Sequence, residues 1–386
     1  MSESLIDPIE LTQSLITHPS VTPNDGGVLK TLQDQLERIG FQCTRMLFEE
    51  PDTKPVDNLF ATYGSGSPHL CFGGHTDVVP VGNLSSWTND PFDAVIKDGN
   101  LYGRGAADMK SAIAAFTTAA SNFVNEVDFK GTISLLITND EEGPAINGTK
   151  KVLEELAKKN VKIDSCIVGE PTCPSQLGDM IKIGRRGSLT TNISITGIQG
   201  HVAYPQWTLN PIDALTKVLK KIVDLELDNG TDDFPPSNIE IVKINADNAA
   251  DNVVPQSATA QINIRYNVLQ SEEGLIKLIN NIIKEELSDT DYKSKIEFKN
   301  SAQPFLTKKS DFTSKIKEAV DSVTGLNSEF STTGGTSDAR FFKDYCEVAE
   351  FGLVGSSAHQ VDEHVRVEDI EKLTKVYEEI IKKYFS

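Results

Sequence analysis

The chain has no paired cysteines, no surplus of basic charge and no long apolar run, and each absence excludes something. Its five cysteines, Cys43, Cys71, Cys166, Cys173 and Cys346, are odd in number, scattered, and form no CxxC pair. A disulfide framework is therefore not expected, and a reducing cytoplasm fits. Lysine and arginine number 37 against 56 aspartates and glutamates, a net charge of −19. The mean field of such a surface repels phosphate, so neither nucleic acid nor an anionic membrane is an expected partner. A local basic pocket could still hold an acidic small molecule. No apolar run approaches the ~18 residues that span a bilayer. The opening MSESLIDPIELTQSL is acidic, without a basic n-region before an apolar h-region, so no export signal is expected.

What is present is material for a folded enzyme-sized chain. Its 386 residues suggest two or three domains. With 38% apolar residues, 24% charged residues and 17 phenylalanines, it is not a disordered polyelectrolyte. No internal repeat or low-complexity segment is visible.

Residues 1–186 read as alternating strands and helices. Strands are expected at 70–73, 132–138 and 163–168, each a short β-branched or aliphatic run that stops at a loop. Helices are expected at 111–124, which is rich in alanine, and at 147–159. This alternation argues for an α/β layer with a mostly parallel central sheet. The pattern then changes. Residues 188–196 (SLTTNISIT) alternate with period two, as a half-exposed antiparallel strand does. A helix at 210–225, strands at 240–245 and 257–266, a helix at 274–287 and a strand at 295–299 complete a β-α-β-β-α-β, ferredoxin-like order. Helices at 310–323 and 367–384 return to α/β character. The expected organisation is a catalytic domain of residues 1–186 and 301–386, with a small α+β domain of residues 187–300 inserted into it.

Ligands on open α/β sheets bind at the carboxyl ends of strands, and that is where the acidic residues and histidines gather. His75 and Asp77 follow the first strand, Asp108 precedes the alanine-rich helix, Asp140, Glu141 and Glu142 follow residues 132–138, and Glu170 follows residues 163–168. His359 lies in a Gly/Ser-rich loop after the apolar stretch 348–353. Taken singly, each has an ordinary reading as a solvated loop residue, a helix N-cap or a first-turn carboxylate. Together they form a set of oxygen and nitrogen donors without cysteine, which suits zinc, cobalt or manganese. Two zinc ions carry four positive charges, and Asp108, Glu142, Glu170 and a bridging hydroxide would balance them. A shared carboxylate is what holds two metals ~3.5–4 Å apart. Asp77 can orient the His75 imidazole through its second nitrogen. Glu141 and Glu142 are neighbours whose side chains should diverge, so one can bind metal while the other takes the proton from bound water.

The stretches HTDVVPVG (75–82), WTNDPFDA (87–94), LYGRGAADMKSAIAAF (101–116), DEEGPAINGT (140–149) and IVGEPT (167–172) resemble the zinc-dependent aminoacylase and carboxypeptidase family. GRRGS, GIQGHVAYP, NVVPQ, GGTSDARF and the late His359 narrow the match, which runs in order from about residue 5 to the C-terminus. The resemblance implies two zinc ions, with cobalt an alternative in one site. One would be held by His75, Asp108 and Glu170, the other by Asp108, Glu142 and His359. It implies Glu141 as general base and then general acid, Asp77 as the partner of His75, and a cis peptide after Asp108. The implied reaction is attack of a metal-bound hydroxide on the amide of N-succinyl-LL-2,6-diaminopimelate, in lysine and meso-diaminopimelate biosynthesis. His201 would supply an oxyanion donor to the partner subunit's site, so the resemblance also implies a homodimer, with the inserted domain as its dimerisation lid.

A substrate with three carboxylates needs local positive charge on an acidic chain, and a guanidinium fork grips a carboxylate well. The resemblance favours Arg185 and Arg265 as contacts, with Ser188, Asn252, Gly335 and Thr336 nearby, whereas Arg186 reads as a surface ion pair. His18 and His69 read as structural or exposed, His364 as a decoy beside His359, and Cys166 and Cys173 as non-ligands. Two rivals stand beside this reading. One is another deacylase of the same family, such as an acetylornithine deacetylase, and the other a non-catalytic metal-binding dimer.

Overall fold

The computed structural model describes residues 6–246, 248 and 250–386. Two compact units divide the chain: Met1–Ile183, Thr307–Ser331 and Ser337–Ser386 form one, Gly184–Leu306 and Thr332–Thr336 the other.

The first unit is built on an eight-stranded mixed sheet. Its middle is parallel and runs Gly131–Thr138, His69–His75, Ser165–Val168, Glu347–Glu350. Gly131–Thr138 and His69–His75 are buried from end to end, which is why their sequences show no alternation of apolar and charged residues. One edge is antiparallel, with Val56–Ser65 and then Gln42–Phe48 added beside Gly131–Thr138. At the other edge Met180–Lys182 meets Glu347–Glu350 antiparallel, and Glu329–Ser331 pairs parallel to Met180–Lys182. The parallel centre follows the expectation from sequence. The antiparallel edge strands do not appear in it, because Gln42–Phe48 is half exposed and carries no clean apolar run.

Two helices seal one face of this sheet. Ser111–Glu126 is buried on nearly all sides and packs on Val367–Phe385. Phe72, from the His69–His75 strand, stacks on Phe116 at 4.4 Å and meets the Tyr377 ring edge-on at 5.7 Å. One aromatic cluster thus ties the central strand to both helices.

Before the Ser111–Glu126 helix the chain makes a tight turn, Ala106–Lys110, entered through Gly105 at φ 84°. Asp108 (φ −129°, ψ 95°) and Met109 (φ −137°, ψ 30°) leave helical geometry there, and the Asp108–Met109 peptide is cis. Met109 is fully buried. Its methyl group comes so close to Gly74 and Gly169 that a Cβ at either would lie 2.7 or 2.8 Å from it. Glycine at these two strand ends lets the Asp108 turn sit directly on the sheet.

The second unit is a four-stranded antiparallel sheet in the order Asn238–Asn245, Ser257–Tyr266, Gly187–Thr196, Lys293–Ala302. Its helices, Pro211–Val223 and Glu272–Glu286, begin at side-chain caps from Asn210 and Ser271. Leu189, Ile193, Ile262 and Ile264 turn inward to Leu215, Val218 and Ile279 of those helices. The chain order and the strand order together make the ferredoxin-like arrangement. The loop Thr332–Thr336 belongs to this unit, with the Thr332 hydroxyl donating to the Asp233 carbonyl. Among the described residues no helix is long and apolar enough to cross a membrane.

Candidate metal centre

Strand register brings the donors of the first unit together. His75 pairs with Thr138, and Gly73 pairs with Val168. The three chains therefore leave the sheet at one level, and Glu170 lands opposite His75. The Asp108 turn covers this edge, and the 356–362 loop brings in His359.

Three donor groups result: His75, Asp108 and Glu170; Asp108, Glu142 and His359; and His75, Glu141 and Glu142, with the ligand atoms of each within 4.8 Å of one another. Asp108 divides its two oxygens. Oδ1 lies 3.0 Å from His75 Nε2, while Oδ2 lies 3.4 Å from His359 Nε2. His75 Nε2 is also 3.7 Å from Glu170 Oε1, and His359 Nε2 is 2.6 Å from Glu142 Oε1. His75 is buried, whereas the His359 side chain is 47% exposed, so one end of the site is sealed and the other open.

The His75 tautomer is set by main chain. Its Nδ1–H donates to the Asp77 carbonyl at 2.9 Å, and the Asp77 carboxylate stands off at 3.6 Å. That carboxylate instead accepts from the Glu141 and Glu142 N–H groups at 3.2 and 3.0 Å. Asp77 thus fixes His75 through its backbone and the Glu141–Glu142 turn through its side chain. The residue spacing suggested the first role without naming an atom of Asp77, and carried no sign of the second.

Electrostatics explain what such a site needs. Burial pushes the Asp77 carboxyl up to about 7, against the pull of His75 and the two N–H donors. Burial raises Glu141 to about 8. Glu170 is driven well above the carboxylate range by burial and then by the Asp108 charge. Hydrogen bonds to Asp108 and Glu142 lift His359 to about 10. Burial opposes protonation of His75, but its bond to Asp108 and the carboxylates around it raise it well above the ordinary value. For Asp108 burial works upward, yet the two histidines hold it below the carboxylate range. In this arrangement protons compensate crowded carboxylates. Divalent cations would do the same with oxygen and imidazole donors already in position, so the residues present fit a two-metal centre with Asp108 shared.

The remaining candidates lie in the second unit, in three groups. Arg185 Nη1 donates to the Gly335 carbonyl at 3.2 Å, next to Thr336. Ser188 and Arg265 face each other across neighbouring strands. His201 pairs with Val253, and Val202 N–H donates to the Asn252 carbonyl, so His201 and Asn252 are neighbours. His201 and Asn252 are exposed, Arg185 and Ser188 buried. Arg186, expected in a surface ion pair, instead donates to the Asn238 side chain at 2.8 Å. His69 is buried between the Lys162 carbonyl and the Ser134 hydroxyl, and His364 bonds the Asp362 carbonyl. Cys166 is buried in its strand. Two side chains that the motifs left unremarked, Arg104 and Glu363, meet directly behind the site at 2.7 Å.

This donor set on this fold defines a class. Residues 71–383 match the model of peptidase family M20/M25/M40, and the chain belongs to that family. Curated relatives are more particular. A succinyl-diaminopimelate desuccinylase of Parvibaculum lavamentivorans is 49% identical over 98% of this chain and 96% of its own. The proteins of that name from Caulobacter vibrioides (51%, 99% of this chain, 97% of its own) and Beijerinckia indica (50%, all of both chains) are similar to the same degree. Solved structures share the fold. An M20 metallo-carboxypeptidase of Sulfolobus solfataricus has a TM-score of 0.81 at 19% identity, over 98% of this chain and 99% of its own. A dinuclear metal-binding M20 peptidase of Bacillus subtilis has 0.71 at 16%, over 98% of both.

Proposed function

We propose that the chain hydrolyses the amide of N-succinyl-LL-2,6-diaminopimelate to succinate and LL-2,6-diaminopimelate, a step of lysine and meso-diaminopimelate biosynthesis. The observation that carries this is the near-full-length identity of about half with relatives of that name, on a chain that keeps every donor of the two-metal set.

Two zinc ions, or zinc and cobalt, would be held by His75, Asp108 and Glu170 and by Asp108, Glu142 and His359. Bound there, they would acidify a water and polarise the amide carbonyl. The chain's own residues do the rest. Glu141 takes the proton from the attacking water and returns it to the leaving amine. Its carboxylate forms no hydrogen bond among the described residues, which leaves it able to take and return that proton. Asp77 keeps Glu141 and Glu142 on their separate tasks by holding both amides. Arg185 and Arg265 would grip substrate carboxylates, with Ser188, Asn252, Gly335 and Thr336 completing the pocket for the acidic substrate. His201 would serve the partner subunit's site as an oxyanion donor. The protein would act as a cytoplasmic homodimer without nucleic-acid or membrane partners.

The test is a comparison of substrates. Purified, zinc-loaded protein is expected to release succinate from N-succinyl-LL-2,6-diaminopimelate with a kcat/KM far above that for N-acetylornithine. The reverse order would refute the assignment.

A further inference from the structure

We propose that Arg104 and Glu363 are positioning residues: a buried pair that sets the separation of Asp108 and His359, and with it the fit of both metal ions. The inference rests on the two-metal reading given above.

Arg104 is 2% exposed and Glu363 not at all. Burying two opposite charges costs several kcal/mol per ion, repaid only when the leftover hydrogen-bonding capacity is filled. Here two particular segments fill it at both carboxylate oxygens and at Nη1 and Nη2, while the buried Arg104 Nε has no hydrogen-bond partner. One oxygen of Glu363 accepts from the Ala107 and Asp108 N–H groups at 2.9 and 3.2 Å. The other accepts from Arg104 Nη1 at 2.7 Å. The same nitrogen donates to the Gln360 carbonyl at 3.2 Å, and Nη2 donates to the His359 carbonyl at 3.4 Å. The Gly103 N–H closes the frame on the Glu363 carbonyl at 2.9 Å. Each of these bonds ends in a segment that carries Asp108 or His359.

The segment that carries His359 holds backbone that needs holding. His359 has φ 64°, the left-handed region that a residue with a Cβ seldom adopts. From the Asp108 amide to the His359 carbonyl the path crosses only the Glu363 carboxylate and the Arg104 guanidinium. The carboxylate of Asp108 touches both histidines, so a shift of either segment changes the donor spacing of both metal sites. Arg104 and Glu363 touch no metal donor atom themselves, and their effect passes through the main chain.

The experiment is a zinc titration by calorimetry of chelated protein, run beside the thermal midpoint of the metal-free form. Wild-type protein is measured first: failure to bind two zinc ions would remove the metal reading itself. Given two ions, Arg104→Lys keeps the charge but loses the fork, and Glu363→Gln keeps an acceptor but loses the charge. Each is expected to lower zinc affinity ~10–100-fold and kcat with it, at unchanged KM, and to lower the metal-free midpoint as well, since each disturbs a buried charge pair. Wild-type zinc affinity in either folded variant overturns the proposal. A lowered metal-free midpoint with intact zinc affinity overturns it as well, since that is what a merely structural pair would give. Should a single variant not fold, Arg104→Met with Glu363→Leu fills the same volume without charge. Zinc affinity lost from that folded double variant supports the proposal, and affinity retained refutes it.

Discussion

The carboxylate of Asp77 accepts the N–H of Glu142 at 3.0 Å across 65 residues of sequence, and the N–H of Glu141 at 3.2 Å beside it. It thereby fixes the turn on which a metal donor and the expected proton carrier sit side by side. Asp77→Asn keeps the size but turns one acceptor into a donor that faces an N–H. The expected result is a fall in kcat of ~10–100-fold with KM little changed, the usual scale for a group that orients a metal site from behind. Steady-state kinetics on the zinc-loaded variant check it, and an unaltered kcat would show that the turn holds itself.

Glu141→Gln separates binding from chemistry. Glu141 belongs to neither triad that shares Asp108, so the variant should keep two metal ions per chain. Turnover should drop by at least the ~10²–10⁴-fold that general acid–base catalysis supplies. Metal analysis and succinate release on the same sample decide the matter. Activity near wild type would take Glu141 out of the mechanism.

Chelation should silence the enzyme and loosen it together. The donor cluster is left with carboxylates that burial and mutual charge push toward protonation. A ligand that binds only the folded state stabilises it by about 2.7 kcal/mol at a hundred times its dissociation constant. Dialysis against a chelator is therefore expected to abolish activity and lower the melting temperature, and zinc should restore both. Metal-free protein that stays active would contradict the two-metal reading.

A fourth expectation concerns the second unit alone. Burial works to raise Asp228, but hydrogen bonds from Ser237, Gly230 and Asn267 hold it down at about 2. Its folded value lies below its unfolded one near 3.8, so its contribution is full above about pH 4 and fades as pH falls toward 2. Asp228→Asn should cost about 1–2 kcal/mol at pH 7, the worth of hydrogen bonds to a charged group on a partly exposed loop. The difference from wild type should shrink below pH 4. Denaturant melts at several pH values would show it, and a gap that does not change with pH would point to packing instead of charge.

Much of the architecture could be read along the chain because it depends on local pattern. Gly131–Thr138 has the uncharged run of a strand buried on both faces, and Ser257–Tyr266 the alternation of one buried on a single face. Ser111–Glu126 has alanines where it must press on both a sheet and a helix. The edge strand Gln42–Phe48 escaped because it is partly exposed and its partner is set by a hairpin, not by composition. Among the donors, His75, Asp108, Glu142, Glu170 and His359 stood out as acids and imidazoles at the ends of strands and in loops. Glu363 did not. It is one more acid in a polar stretch, and its carboxylate acquires meaning only beside Arg104 and the Asp108 amide, more than 250 residues away in the chain.

Residue order and periodicity alone were enough for the class of fold and the inserted antiparallel unit, since hydrophobic period is a property of short segments. Which oxygen of Asp108 faces which histidine, and whether Asp77 works through its carbonyl or its carboxylate, came from packing. Those are distances between segments remote along the chain. They are set by strand register and by the glycines that let Met109, and the turn that carries Asp108, approach the sheet.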